Sequence, residues 1–151
     1  MTAPASAYLD HNATTPVRPE VLEAMLPYLR GEFGNPNSVH AAGQRARRAV
    51  ERAREQAAGL VGSRPDEVVF TAGGSEADSA ALVGAAQAAW NASGGKRRHL
   101  VVSAVEHEAV LGAARQRAAR GFEVSWAGVD ASCRVDPAAV AAALRPETCL
   151  V

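Results

Sequence analysis

Apolar positions along the chain change period, and the changes divide it into elements. From Pro19 to Arg30, Val21, Met25, Leu26 and Leu29 fall on one face of a 3.6-residue period, and Gly31 is the stop. A longer helix is predicted from near His40 to Leu60, where Ala42, Ala46, Ala49, Val50, Ala53, Ala57 and Leu60 recur at helical spacing. From Glu67 the pattern shortens. Val68-Val69-Phe70-Thr71 reads as a short buried strand, and Gly73-Gly74-Ser75-Glu76 opens a helix running to about Trp90. A loop over Asn91–Arg98 leads to a strand from His99 to Ser103 and a helix from His107 to Arg120, ended by Gly121. Phe122 to Val129 forms the next strand. Asp136 caps a helix with Pro137 at its first position, and Cys149-Leu150-Val151 is strand-like.

Strands alternating with helical crossovers give an α/β layered fold with a mainly parallel sheet. Residues 1–62 read as an N-terminal arm with helices, and residues 63–151 as the first part of an α/β domain. Stopping on the first residues of an apolar strand, that domain is expected to be cut short.

Composition narrows the function classes. Sixteen Lys+Arg against sixteen Asp+Glu leave no net field to recruit nucleic acid or an acidic membrane. No apolar run approaches the roughly 18–20 residues of a membrane span, so a soluble, cytoplasmic chain is expected. All but one of the sixteen basic residues are arginine, and the single lysine is Lys96. Cys133 and Cys149 have no metal-binding spacing and are too few for a secreted disulfide framework. Chemistry that needs a lysine or a reactive cysteine therefore has few places to reside.

Two segments carry candidate chemistry. At Phe70-Thr71-Ala72-Gly73-Gly74-Ser75-Glu76 an apolar run passes through two glycines into a helix, whose first N–H groups and macrodipole make an anion site. The glycines admit close approach and the Ser75 hydroxyl adds a donor; a plain serine N-cap carries equal weight on this segment alone. The third glycine of a dinucleotide fingerprint and the Gly-Lys pair of a P-loop are both missing. Ala104-Val105-Glu106-His107 lies just beyond a strand, at the carboxyl edge where open α/β sheets bind ligands. Alone, His107 reads as a cap or packing residue; with Ser75 on the same edge, a shared pocket is expected.

The turn-rich runs Asp10-His11-Asn12-Ala13-Thr14-Thr15-Pro16 and Phe33-Gly34-Asn35-Pro36-Asn37-Ser38 are explained by Asx and Ser/Thr turns without any function. Arg47, Arg48, Glu51, Arg52, Arg54 and Glu55 alternate in sign on one helix face, and read as a solvated face rather than an anion patch. His40 and His99 begin elements and lack metal-binding partners, and no metal site is expected.

Taken in order, Tyr8 to Pro16, Phe33 to Ser38, Val69 to Asp78 and Glu106-His107 closely resemble the N-terminal part of cysteine desulfurases, pyridoxal-phosphate enzymes of the class V aminotransferase group. The resemblance runs through essentially the whole chain with matching spacing. It implies an incomplete three-layer α/β/α large domain of the pyridoxal-phosphate transferase type, with an N-terminal helical arm. It implies that Gly74 and Ser75 hold the cofactor phosphate, and that His107, a catalytic residue, stacks on the pyridine ring. Asn12, Ala13 and Thr14 match the stretch on the substrate side of the site. Ser75 stands where threonine is usual, and Ser79 where asparagine is more common.

The implied activity is removal of sulfur from L-cysteine, giving L-alanine and an enzyme persulfide for iron–sulfur cluster assembly or other sulfur transfer. A sulfur-acceptor protein and a homodimeric full-length enzyme come with it. Selenocysteine lyase or another class V enzyme is the alternative within the group; a non-catalytic phosphate- or partner-binding fragment is the alternative outside it. The family's chemistry also needs a Schiff-base lysine, an aspartate for the pyridine nitrogen and a sulfur-carrying cysteine. Lys96, Cys133 and Cys149 match none of these positions, so this chain alone is expected to be inactive and to bind the cofactor weakly, without a covalent link.

Overall fold

A computed structural model describes residues 7–151, which fall into two compact units divided between Val69 and Phe70. In the first unit, α1 (Pro19–Arg30) and α2 (Ala41–Val61) lie within one residue of their predicted bounds. Proline at N1 and glycine at the C-cap set the limits of α1. No residue of α1 is buried, and its apolar stripe is open, with Val21, Leu22 and Met25 each nearly half exposed. In α2 the predicted stripe is only partly right. Gly43 and Ala58 are the buried positions, whereas Leu60 is 86% exposed.

His40 caps α2, its Nδ1 accepting from the Gly43 N–H at 3.3 Å, and Gly62 ends it in the left-handed conformation at φ 69°. The loop before it packs closely on the helix start. A Cβ at Gly34 would meet the Ala42 carbonyl oxygen at 2.5 Å, and one at Gly43 would collide with the Ser38 carbonyl oxygen. Asn35 Oδ1 accepts from the Asn37 N–H at 2.9 Å, the expected Asx turn. These glycines answer to packing.

One element departs from expectation. Val68–Thr71 is extended but forms no strand, and Val69 and Phe70 are 78% and 51% exposed rather than buried. A strand exists only through its ladder. No described segment pairs with this one, and the Val68 carbonyl is taken by the Arg54 side chain instead. A 3-10 turn at Pro65–Glu67, not foreseen, leads into it.

The second unit is built on α3 (Gly74–Ala92), β1 (His99–Ser103), α4 (Glu108–Ala118), β2 (Glu123–Ala127), α5 (Pro137–Ala143) and β3 (Thr148–Leu150). The three strands are parallel, in the order β2-β1-β3. Leu100 and Val102 of β1 pack with Leu82 and Ala86 of α3, Ala113 and Ala114 of α4, and Phe122. That cluster is the core.

The chain steps from β1 to β2 in one direction and from β2 back across β1 to β3 in the other. Right-handed crossovers then put α4 and α5 on opposite faces of the sheet, and α5 contributes nothing to the core cluster. The α/β/α layering inferred from the sequence follows from that reversal. Asp136 caps α5, its carboxylate accepting from the Ala138 N–H at 2.9 Å.

Candidate functional site

Open parallel sheets bind ligands at the carboxyl edge of their strands, here the ends of β1, β2 and β3. A largely apolar cavity of about 490 Å³ opens there, with Val101, Val102, Ala127, Val140 and Leu150 in its wall and Asp78, Ser103 and Glu106 among its polar groups. Ser75 and His107 do not line it. Their near neighbours Asp78 and Glu106 do, so both helix starts stand at the same sheet edge. Length explains the placement of α3. Nineteen helical residues span about 28 Å against about 16 Å for the five-residue β1, so α3 passes the full strand to reach the carboxyl edge.

The start of α3 is open. Gly73, its N-cap, has φ 173°, extended backbone that any residue adopts, and a Cβ at Gly73 or Gly74 would meet nothing within 4 Å. Neither strain nor crowding inside this unit requires glycine; what the missing side chains leave is access. The N–H groups of Gly74, Ser75 and Glu76 precede the first intrahelical bond, and Ala77 N–H is the first to find its carbonyl, Gly73 O at 3.1 Å. No side chain caps them. The Glu76 carboxylate turns back to accept from Ala72 N–H at 2.7 Å, and Ser75 is exposed. A serine N-cap is thereby excluded: Gly73 holds that position, and the hydroxyl stays available.

His107 is the N-cap of α4. Its Nδ1 accepts from Ala109 N–H at 3.1 Å, which puts the proton of the neutral ring on Nε2, and the residue is exposed. The capping role weighed from sequence is real, and it fixes the ring's tautomer without burying it.

Asn12, Ala13 and Thr14 belong to the first unit, in an exposed turn where Ala13 N–H and Thr14 N–H donate to Asp10 O at 3.1 and 3.4 Å. The turn is made by backbone bonds rather than by the Asx side chain. Tyr8 braces it, its hydroxyl donating to Asp10 O and its ring standing edge-on to His11 at 5.0 Å.

Lys96 and the cysteines are elsewhere. Lys96 is exposed in the turn before β1, close to Glu123 and Glu147, at the amino edge of the sheet and a strand's length from His107. Cys133 is exposed on a hairpin turn at φ 58°. Cys149 donates to His99 O at 3.3 Å, and burial pushes its thiol up, away from the reactive thiolate. Among the described residues no cluster of His, Cys, Asp and Glu could hold a metal ion.

Residues 7–151 match the family described as Aminotransferase class-V. The chain belongs to that family. It is 50% identical over 145 residues to cysteine desulfurase IscS of a strain of Anaeromyxobacter, covering 95% of this chain and 35% of that protein. To cysteine desulfurase IscS of Dictyoglomus turgidum it is 44% identical, over 95% of this chain and 36% of the relative. Among solved structures, SspA in complex with cysteine superposes with a TM-score of 0.82 at 35% identity, covering 95% of this chain and 40% of that one. This chain spans little more than a third of the length of the curated relatives.

Class V enzymes depend on pyridoxal phosphate. The residues present fit that group. Three unpaired N–H groups, one hydroxyl and two residues without a Cβ leave the helix start at Gly73–Glu76 open to an anion, and an exposed imidazole of defined tautomer stands at the same sheet edge. Sequence reasoning found both helix starts and had Asp78 and Glu106 within its motifs, but gave neither a place in a cavity wall, which depends on how the helices lie on the sheet.

Proposed function

We propose that this chain forms the cofactor-anchoring part of a cysteine desulfurase, in which the sulfur of L-cysteine passes to an enzyme thiol, giving L-alanine and a persulfide. The carrying observation is the 50% identity over 95% of the chain to a cysteine desulfurase. The open helix start at Gly74 and Ser75 supports it independently.

Gly74 and Ser75, with the Glu76 N–H, are the groups that would hold the cofactor phosphate. The helix dipole adds to each hydrogen bond, and the charge-assisted bonds are the strong kind. Pyridoxal phosphate, when bound, supplies the electron sink that lets the substrate's carbon–sulfur bond break. His107 would lie against its ring. With Nδ1 engaged by Ala109 N–H, only Nε2 is free to hold or pass a proton. Asn12, Ala13 and Thr14 are assigned to the substrate side on motif position alone.

Lysine and thiol must come from elsewhere. Lys96 lies at the opposite sheet edge, and Cys149 is engaged by His99 O, with burial pushing its thiol up. Homodimer formation, a sulfur-acceptor protein, a role in iron–sulfur cluster assembly and a cytoplasmic location are part of the same proposal.

The test is alanine formation from L-cysteine with added pyridoxal phosphate. The chain alone should give none; supplying the remainder of a desulfurase in trans should restore it. Alanine from L-selenocysteine but not from L-cysteine in the restored enzyme would overturn the assignment.

A further inference from the structure

We infer that Arg117 is a positioning residue, locking the register of α4 against α3 and so the spacing of the two helix starts that the proposed function assigns to one cofactor. Arg117 is 2% exposed, yet it has no carboxylate partner among the described residues. Its Nη1 donates to Gln87 Oε1 on α3 at 3.3 Å, its guanidinium lies 5.8 Å from the Phe122 ring centre, and its Nε has no acceptor. Gln87 is held in turn by donating to Asn91 Oδ1 at 3.0 Å. A buried cation with a neutral partner is a poor stabiliser, because desolvation outweighs what one amide returns.

It can supply register. Apart from Leu82, the buried positions of the two helices outside Arg117 are alanines, Ala86 on α3 with Ala113 and Ala114 on α4. Val83, Trp90, Val110 and Leu111 pack beside them only partly buried, so the fully buried part of the contact is left to small side chains with shallow ridges. A directional bond from a buried donor to the rim of the facing helix fixes one register where small side chains do not. The lock is remote from the site. Gln87 is about 18 Å along α3 from Ser75, and Arg117 about 15 Å along α4 from His107, so it acts only through the helices. Inorganic phosphate needs the start of α3 alone, whereas pyridoxal phosphate needs both starts.

That difference is the test. In the 151-residue chain, Arg117→Met keeps the side chain's length and removes its charge. Thermal stability should hold or rise and phosphate affinity should stay within about twofold, while pyridoxal phosphate binds about 10- to 100-fold more weakly, up to the scale of a remote misplacement. Arg117→Lys, which keeps a donor, should recover part of the loss. Gln87→Met, at an exposed position, should reproduce the loss and add little to Arg117→Met in the double variant. Unchanged pyridoxal phosphate affinity in both single variants, or a parallel fall in phosphate affinity, overturns the inference. A wild-type chain that binds pyridoxal phosphate no better than phosphate overturns the proposed cofactor role of His107, and the inference with it.

Discussion

His99 and Thr148 are joined across the β1–β3 step by a 2.8 Å hydrogen bond between Nδ1 and Oγ1. The other ring nitrogen meets Ser125 Oγ on β2 at 2.9 Å, so one fully buried imidazole ties all three strands together. Arg145 closes the ring. Its N–H donates to Thr148 Oγ1 at 2.8 Å, its Nη2 donates to Ser125 Oγ at 3.3 Å, and its Nη1 meets Glu123 Oε2 at 2.6 Å. Only two residue pairs with an irregularity between them attach β3 to β1, so the side-chain ring carries much of that strand's anchorage.

Stability should therefore fall in mild acid. Burial holds the His99 imidazole below its ordinary value of 6.5, Arg145 adds to the depression, and Glu123 and Glu147 oppose it in part. With the folded value depressed, the unfolded chain binds more protons as pH drops through about 6.5, and the folded state loses stability until the lower folded value is passed. Urea midpoints measured from pH 8 to pH 5 should decline. In His99→Leu the decline should shrink, and stability at pH 8 should drop by about 1–3 kcal/mol because two half-buried hydroxyls lose a partner. Parallel pH profiles for the two proteins would exclude His99 as the source.

At the start of α3 the signs should split. Gly74→Ala meets open space, so stability should hold or rise by up to about 1 kcal/mol. The added methyl narrows the approach to the N–H groups, and phosphate affinity should fall. Ser75→Ala should cost about tenfold in phosphate affinity, one charge-assisted hydrogen bond, with no change in melting temperature. Isothermal titration beside thermal melts reads both quantities.

For His107 two substitutions separate its two roles. Asparagine is a good N-cap, so His107→Asn should keep stability, whereas His107→Ala should lose about 0.5–2 kcal/mol. Both remove the ring, and both should weaken pyridoxal phosphate binding alike. If His107→Asn binds the cofactor as the parent does, the imidazole is only a cap.

Lys96 offers the fourth check. Borohydride reduction with pyridoxal phosphate present, followed by peptide mapping, should show no stoichiometric adduct on Lys96. That residue stands about a five-residue strand, roughly 16 Å, from the carboxyl edge. A full adduct there would show that the turn before β1 reaches the cofactor.

Much of this protein was determined by its sequence alone. The bounds of α1 and β1, the caps at His40, His107 and Asp136, and the stop at Gly121 (φ 90°) depend on side chains acting within a few residues, which local spacing reveals. The two helix starts of the candidate site were legible for the same reason, since an open helix start at Gly74–Ser75 is made of consecutive backbone groups. What only tertiary structure decided was every feature that needs a distant partner. Val68–Thr71 has a strand's composition but is no strand among the described residues. Leu60 lies on the apolar stripe and remains in solvent, and His99 and Arg117 gain their roles only from residues on other elements. A residue's propensity is local, whereas pairing, burial and desolvation belong to the contacts it makes.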